Sequence, residues 1–127
     1  MQTENINALL PTSDQIQDFF ELPDSPVVMV NLLKFKPDGG ADEYARYAAG
    51  IGPILQKLGA RILFSGQAAM CLIGNADWDF VVLVEYPNPG VLMAMAQSDE
   101  YQAIHHHREA GLQGQVNYAV LPRQLGE

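Results

Sequence analysis

Val27–Phe35 reads VVMVNLLKF, nine residues introduced by Pro26 and interrupted by one amide, that of Asn31. A strand with one wet face alternates apolar and polar residues. This run does not, so it predicts a strand buried on both faces. A second run, Asp79–Tyr86 (DFVVLVEY), has the same character. Any fold for this chain must place both runs near the centre of a sheet and cover both of their sides.

Toward the N-terminus, residues 1–12 are polar and read as ragged. Thr12 or Ser13 can cap a short helix carrying Asp14 in its first turn. Ile16, Phe19 and Phe20 share its apolar face, Pro23 closes it, and the expectation is a helix docked on the body. Toward the C-terminus, Lys36–Gly40 (KPDGG) is turn chemistry. A helix follows from near Asp42, with Tyr44, Ala48, Ile51, Leu55 and Leu58 on one stripe. Pro53 should disturb its middle and Gly59 should end it. Arg61–Ser65 predicts the second strand. Gly66 and Gln67 read as a bend, and Ala68–Ile73 as a continuation or a hairpin partner. Gly74–Asp77 turns into the third strand, and Pro87–Gly90 closes that strand. Val91–Ala96 predicts a helix, which Ser98–Glu100 restarts or continues through Arg108. Gln115–Leu121 predicts the last strand.

Strand, helix, strand, strand, helix, strand is the order of the ferredoxin-like β-α-β-β-α-β plait, here with an extra N-terminal helix. The fold class is therefore α+β. In that plait the first and third strands are central, as their apolar character requires. Its helices cover one face only. Val28, Val30 and Leu32 point away from Met29, Leu33 and Phe35, and Val81 and Leu83 away from Phe80, Val82 and Val84. One apolar face is thus left bare, in the size range that marks an interface. A second copy packed sheet to sheet would cover it, and so would the N-terminal helix; the homodimer is the expectation.

Composition narrows the function. The chain has 127 residues, 48% of them hydrophobic, which suits one domain with a real core. Fifteen acidic residues against seven basic give a net charge of −8, which argues against nucleic-acid backbones and anionic membrane surfaces. The single cysteine, Cys71, sits in the apolar run AAMCLIG and reads as a buried small hydrophobe. The first residues carry no basic region followed by an apolar one, so a cytoplasmic location is expected.

The runs VVMVNLLKF, YARY (Tyr44–Tyr47), Trp78-Asp79 with VVLVEYP, SDEYQAI and the R-x-x-G-L of residues 108–112 resemble a family of small bacterial proteins. It is the domain of unknown function numbered thirteen-thirty, in the dimeric α+β-barrel superfamily. The resemblance spans about residues 26–121. It divides the chain into an N-terminal extension (1–25), a barrel domain (26–121) and a tail (122–127), and it implies the dimer but no reaction.

The candidate site residues are Asn31, Tyr44, Tyr47, Trp78, Glu85, Tyr101, His105 and Arg108. A buried amide at Asn31 needs partners or costs about 1–3 kcal/mol. It can pin strand register or face a pocket. Consecutive residues of a helix point about 100° apart, so His105, His106 and His107 cannot converge on one ion. The usable spacing pairs His105 with Glu109 or Tyr101, short of a metal ligand set, and no metal is predicted. These histidines read first as solvated or capping. Arg108 can hold a carboxylate in two-point geometry, but with acids at Asp79 and Glu85 a structural link, to a Glu or to backbone, is favoured over that clamp. Glu85, inside a central strand, has to be paired, hydrated or protonated.

Two functions fit. One is a homodimer binding a small aromatic or carboxylated ligand between sheet and helices, without a cofactor. The other is a cofactor-free or haem-handling monooxygenase, by analogy with superfamily relatives that carry an Asn on the first strand with a Trp and a His nearby; here those would be Asn31, Trp78 and a His.

Overall fold

A computed structural model of the chain describes residues 8–126, so the expectation for residues 1–7 lies outside it. β1 (Val27–Phe35) and β3 (Phe80–Tyr86) pair antiparallel at the centre of a four-stranded sheet. β2 (Arg61–Gln67) and β4 (Leu112–Val120) flank them, in the order β2-β3-β1-β4. All pairings are antiparallel, and the fold is the ferredoxin-like plait.

Among the described residues four helices accompany the sheet: α1 (Ser13–Phe20), α2 (Gly40–Lys57), α3 (Pro89–Ala96) and α4 (Asp99–Gly111). Thr12 and Gln15 close a reciprocal capping box on α1. Asn88 and Ser98 cap α3 and α4, so the chain restarts at Ser98 rather than running on. α2 carries Pro53 inside it without ending there, and Gly59 follows at φ +75°, a left-handed residue that glycine adopts without strain.

α2 and α4 lie side by side over the sheet, and glycines allow their approach. A Cβ at Gly111 would stand 2.6 Å from the carbonyl oxygen of Gly40 and 2.9 Å from the amide nitrogen of Tyr44. A Cβ at Gly50 would meet Ile104 at 2.8 Å. The core fills the space between these helices and one sheet face. Val27 and Leu33 are fully buried there, beside Tyr47, Leu55, Val82, Val84 and Leu112.

The opposite sheet face has no cover among the described residues. Register groups Val28, Val30 and Leu32 with Val81 and Leu83 on β3, and with Val116, Tyr118 and Val120 on β4. None of these eight is fully buried, and Tyr118 is 64% exposed. α1 does not cover them; it touches α3, on the helical side.

Three local expectations are corrected. Gly66 and Gln67 stay in β2, whose ladder to β3 absorbs a bulge between Ile62 and Phe64. Residues 68–79 form neither strand continuation nor hairpin, although the backbone of Ala68 bonds to that of Asp79. Cys71 is exposed, as are Met70, Leu72 and Ile73. Apolar composition put these residues inside. The chain leaves the sheet after Gln67 and returns to it at Phe80 with no strand between, so these residues join no ladder.

Candidate functional site

A cavity of about 490 Å³ lies between the helix-facing side of the sheet and the α2–α4 pair. Residues from both layers and from the N-terminal segment line it. Its size is ordinary for a small-molecule site.

Arg108, in the last turn of α4, is the one Lys or Arg side chain among the described residues that line it. The guanidinium donates to Gln115 Oε1 at 2.5 Å, to Asn31 Oδ1 at 3.4 Å and to the Tyr44 hydroxyl at 3.4 Å. Its Cζ stands 5.3 Å from the Tyr47 ring centroid and 5.7 Å from that of Tyr44, within cation–π range. Every one of these partners is neutral. Among the described residues no carboxylate lies within ion-pair distance of it.

The expected Arg108–acid link is therefore corrected. Glu85 sits on the bare sheet face and pairs with Arg61 at 3.0 Å. Asp79 accepts from the Phe35 amide at 2.8 Å and faces Lys34 at 3.6 Å. The parity of β3 explains Glu85, since it alternates with Val84 and Tyr86, which face the helices. Trp78 does not line the cavity either; it lies in the connection before β3.

Asn31 is buried at the centre of the sheet and does two jobs. Its amide donates to the carbonyls of Val82 at 3.1 Å and Met29 at 3.3 Å, and its oxygen accepts from Arg108. It joins strand register to the orientation of the guanidinium.

Tyrosines form the wall above. Tyr44 and Tyr47 come from α2, three residues apart on the buried stripe, and Tyr101 from α4. The Tyr47 and Tyr101 hydroxyls lie 3.4 Å apart, with their rings edge to face. Burial pushes the hydroxyl pKa values of Tyr44, Tyr47, Tyr86 and Tyr101 upward; the Arg108 charge pulls each back without reversing the shift. All four are neutral phenols at physiological pH.

The histidine run splits, as its helical spacing demands. His105 turns into the cavity wall, with Nδ1 3.3 Å from the Tyr101 hydroxyl and Nε2 3.4 Å from Glu109 Oε1. His107 reaches Glu43 on α2 at 3.2 Å, and His106 stacks on His107. His105 is thus neither solvated nor a cap. The contact of His107 with Glu43 lowers the pKa of that carboxyl, with the neighbouring Arg46 acting in the same direction.

His105 sets Nδ1 against the Tyr101 hydroxyl and Nε2 within ion-pair distance of Glu109, and Trp78 stands outside the cavity.

Six of the eight candidates therefore meet at one cavity: Asn31, Tyr44, Tyr47, Tyr101, His105 and Arg108. Gln115 and Asn117 belong there too and were missed. Their signal was present, since two amides spaced by two on a strand share a face. Register sets Asn117 opposite Asn31 and Gln115 opposite Leu33. Gln115 also holds the backbone of Leu9 at 3.1 Å, which ties the N-terminal segment to the site.

Residues 39–119 match the model of the domain of unknown function DUF1330, and the chain belongs to that family. No curated protein matches it. Among solved structures, the methylated RPA0582 protein is 28% identical, with a TM-score of 0.86 over 96% of this chain and 99% of that one. A second RPA0582 structure, described as a protein of unknown function from Rhodopseudomonas palustris, is 28% identical with a TM-score of 0.82, over 90% and 95% of the two chains. A dimeric ferredoxin-like protein of unknown function from Jannaschia sp. CCS1 shares the fold at 14% identity, TM-score 0.63, over 76% of this chain and 99% of that one. A candidate antibiotic biosynthesis monooxygenase from Caulobacter crescentus CB15 also shares it, at 14% identity and TM-score 0.62, over 80% and 92%.

Proposed function

We propose that this member of the DUF1330 family is a homodimer that binds a small aromatic carboxylate in the cavity between sheet and helices. The observation that carries the reading is Arg108: a guanidinium facing a cavity, surrounded by neutral partners, with no acid among the described residues within ion-pair distance. A charge held away from bulk water without a counter-ion is costly. A ligand carboxylate would supply the counter-ion in two-point geometry. The rings of Tyr44 and Tyr47 offer flat apolar contact for an aromatic body. The overall charge of −8 repels anions at long range, so selectivity for a carboxylate would rest on this one local cation.

The bare sheet face supports the dimer. It presents aliphatic side chains from three strands to solvent, and a second copy in sheet-to-sheet contact would bury them on both molecules. A dimeric relative of the same fold agrees with this. No helix among the described residues is long and apolar enough to cross a membrane. A cytoplasmic location remains part of the proposal.

Calorimetric titration with 4-hydroxybenzoate and with phenylpyruvate tests the ligand reading. Binding is expected for the wild type and should be lost in Arg108→Gln. Equal binding by both proteins, or no binding of either probe at millimolar concentration, would refute it. A Soret band that shifts on haem titration would move the assignment to the oxygenase reading instead.

A further inference from the structure

Tyr101, His105 and Glu109 lie four residues apart along α4, so their side chains stack on one helical face. They form a row. The Tyr101 hydroxyl is hydrogen-bonded to His105 Nδ1 at 3.3 Å, and Glu109 Oε1 stands within ion-pair distance of His105 Nε2, at 3.4 Å. The row runs from inside to outside. Tyr101 is 9% exposed and lines the cavity, while the Glu109 side chain is 45% exposed. At the inner end Tyr47 donates to the Tyr101 oxygen, and the Tyr47 ring is one of the two that Arg108 covers.

This is the chemical order of a donor, a base and an orienting carboxylate. With hydrogen on Nε2, the side that faces Glu109, Nδ1 is left as acceptor for the Tyr101 proton. Binding alone has no use for such a row. A ligand needs a cation and a shaped wall, not an imidazole with a defined tautomer behind a phenol.

We propose that Tyr101 and His105, oriented by Glu109, form a proton-transfer pair acting on an aryl 2-oxo acid held at Arg108. The inference rests on the carboxylate reading of the cavity and adds a reaction to it. A 2-oxo acid carries both features the site addresses: a carboxylate for the guanidinium, and an acidic C–H beside a carbonyl for the phenol. In the forward step the ligand carbon gives its proton to the Tyr101 oxygen. The original Tyr101 proton moves to His105 Nδ1. The C–H electron pair becomes the C=C bond of an enolate, whose oxygen carries the charge beside the Arg108 cation. His105 becomes an imidazolium facing Glu109. Return of the proton to carbon restores the ketone, and its return to oxygen gives the enol. No oxidant or second substrate takes part. Tyr101 is the catalytic residue, and His105 and Glu109 are positioning residues that act through it.

Phenylpyruvate in deuterium oxide provides the test, with loss of its benzylic proton signal followed by NMR. Exchange is expected about 100-fold faster than in buffer, the scale of one positioned acid–base group. Tyr101→Phe and His105→Gln should return it to the buffer rate while phenylpyruvate still binds. A nitrogen-15 spectrum of wild-type histidines reads the arrangement without any ligand: His105 should carry hydrogen on Nε2, and Glu109→Gln should move population to Nδ1. Binding with no accelerated exchange would overturn the proton-transfer role and leave the binding site intact. Absence of binding would remove both. A wild-type His105 protonated on Nδ1 would overturn the pair whatever the exchange data, and circular dichroism establishes that each variant is folded.

Discussion

Val30→Asp and Val82→Asp are neighbouring changes on paired central strands, yet they should give opposite results. Val30 lies mid-strand on the bare face, opposite Leu83 on one side and Tyr118 on the other. Val82 is 8% exposed, on the helix face, opposite Asn31. If dimerisation removes on the order of 400 Å² of apolar surface per copy, the pair gains about 20 kcal/mol of gross burial at about 25 cal/mol per Å². Association costs about 4–15 kcal/mol of that. Symmetry puts two aspartates into the Val30→Asp interface, each costing several kcal/mol to desolvate. The surplus disappears, and the dissociation constant should rise by about a millionfold, which at about 1.4 kcal/mol per tenfold is about 8 kcal/mol. The protomer has no need of that face for its own core, so it should stay folded. In Val82→Asp the carboxylate enters the core instead. It forfeits about 1.5–3 kcal/mol of valine burial and adds the desolvation cost, together comparable to the whole stability of a small domain. Sedimentation velocity at 10 μM with circular dichroism melts separates the cases. The wild type should run near 28 kDa, twice 13.9 kDa; Val30→Asp should run as a folded single copy, and Val82→Asp should lose its melt. A wild type that sediments as a compact single copy, or a Val30→Asp protein that remains a folded dimer, would refute the reasoning.

Asn31→Ala should lower unfolding free energy by about 1–3 kcal/mol, because the Arg108 donor and two strand carbonyls lose a partner; urea titration reads it, and carboxylate binding should weaken less than in Arg108→Gln. Gly111→Ala should cost about 1–3 kcal/mol, since the new methyl meets backbone of α2 rather than a movable side chain; an unchanged melt would mean that the α2–α4 contact is looser than the geometry says. The buried tyrosines should govern alkaline stability. A phenol whose folded pKa is raised keeps its proton longer folded than unfolded, so its stabilisation is complete below about pH 10 and is lost as pH rises through the folded value. Tyrosinate absorbance from these four should therefore appear together with loss of helical signal, and early, non-cooperative ionisation would contradict their burial. Glu43 has the opposite sign: its lowered pKa gives a contribution present above the ordinary carboxylate range and lost as pH falls below it, which Glu43→Gln should abolish in acid melts.

Much of this molecule was legible without coordinates, and the limits have physical causes. The continuous apolar character of Val27–Phe35 and Asp79–Tyr86 was enough to place both runs mid-sheet, because only strands covered on both sides can do without alternation. The stripe through Tyr44, Ile51 and Leu55 and the glycine stop at Gly59 followed from helical periodicity and from the one backbone region glycine enters freely. What failed were inferences from composition alone. The run AAMCLIG is apolar yet exposed, because it lies in the connection between β2 and β3 and joins no ladder. The acids at Asp79 and Glu85 looked like natural partners for Arg108, but strand parity turned Glu85 to the far face and Asp79 was bound to backbone.

The chain's own order of residues determined the plait, its central strands and the bare apolar side, since periodicity and element order are local properties that survive in one dimension. Tertiary structure alone decided that Asn31, Gln115, Tyr101, His105 and Arg108 share one cavity and that the guanidinium there bonds to neutral partners among the described residues. Convergence of side chains from β1, β4, α2 and α4 depends on register and helix packing. Both are set by contacts between segments far apart in the chain, such as the Asn31–Arg108 bond across 77 residues, and sequence spacing does not encode such distances.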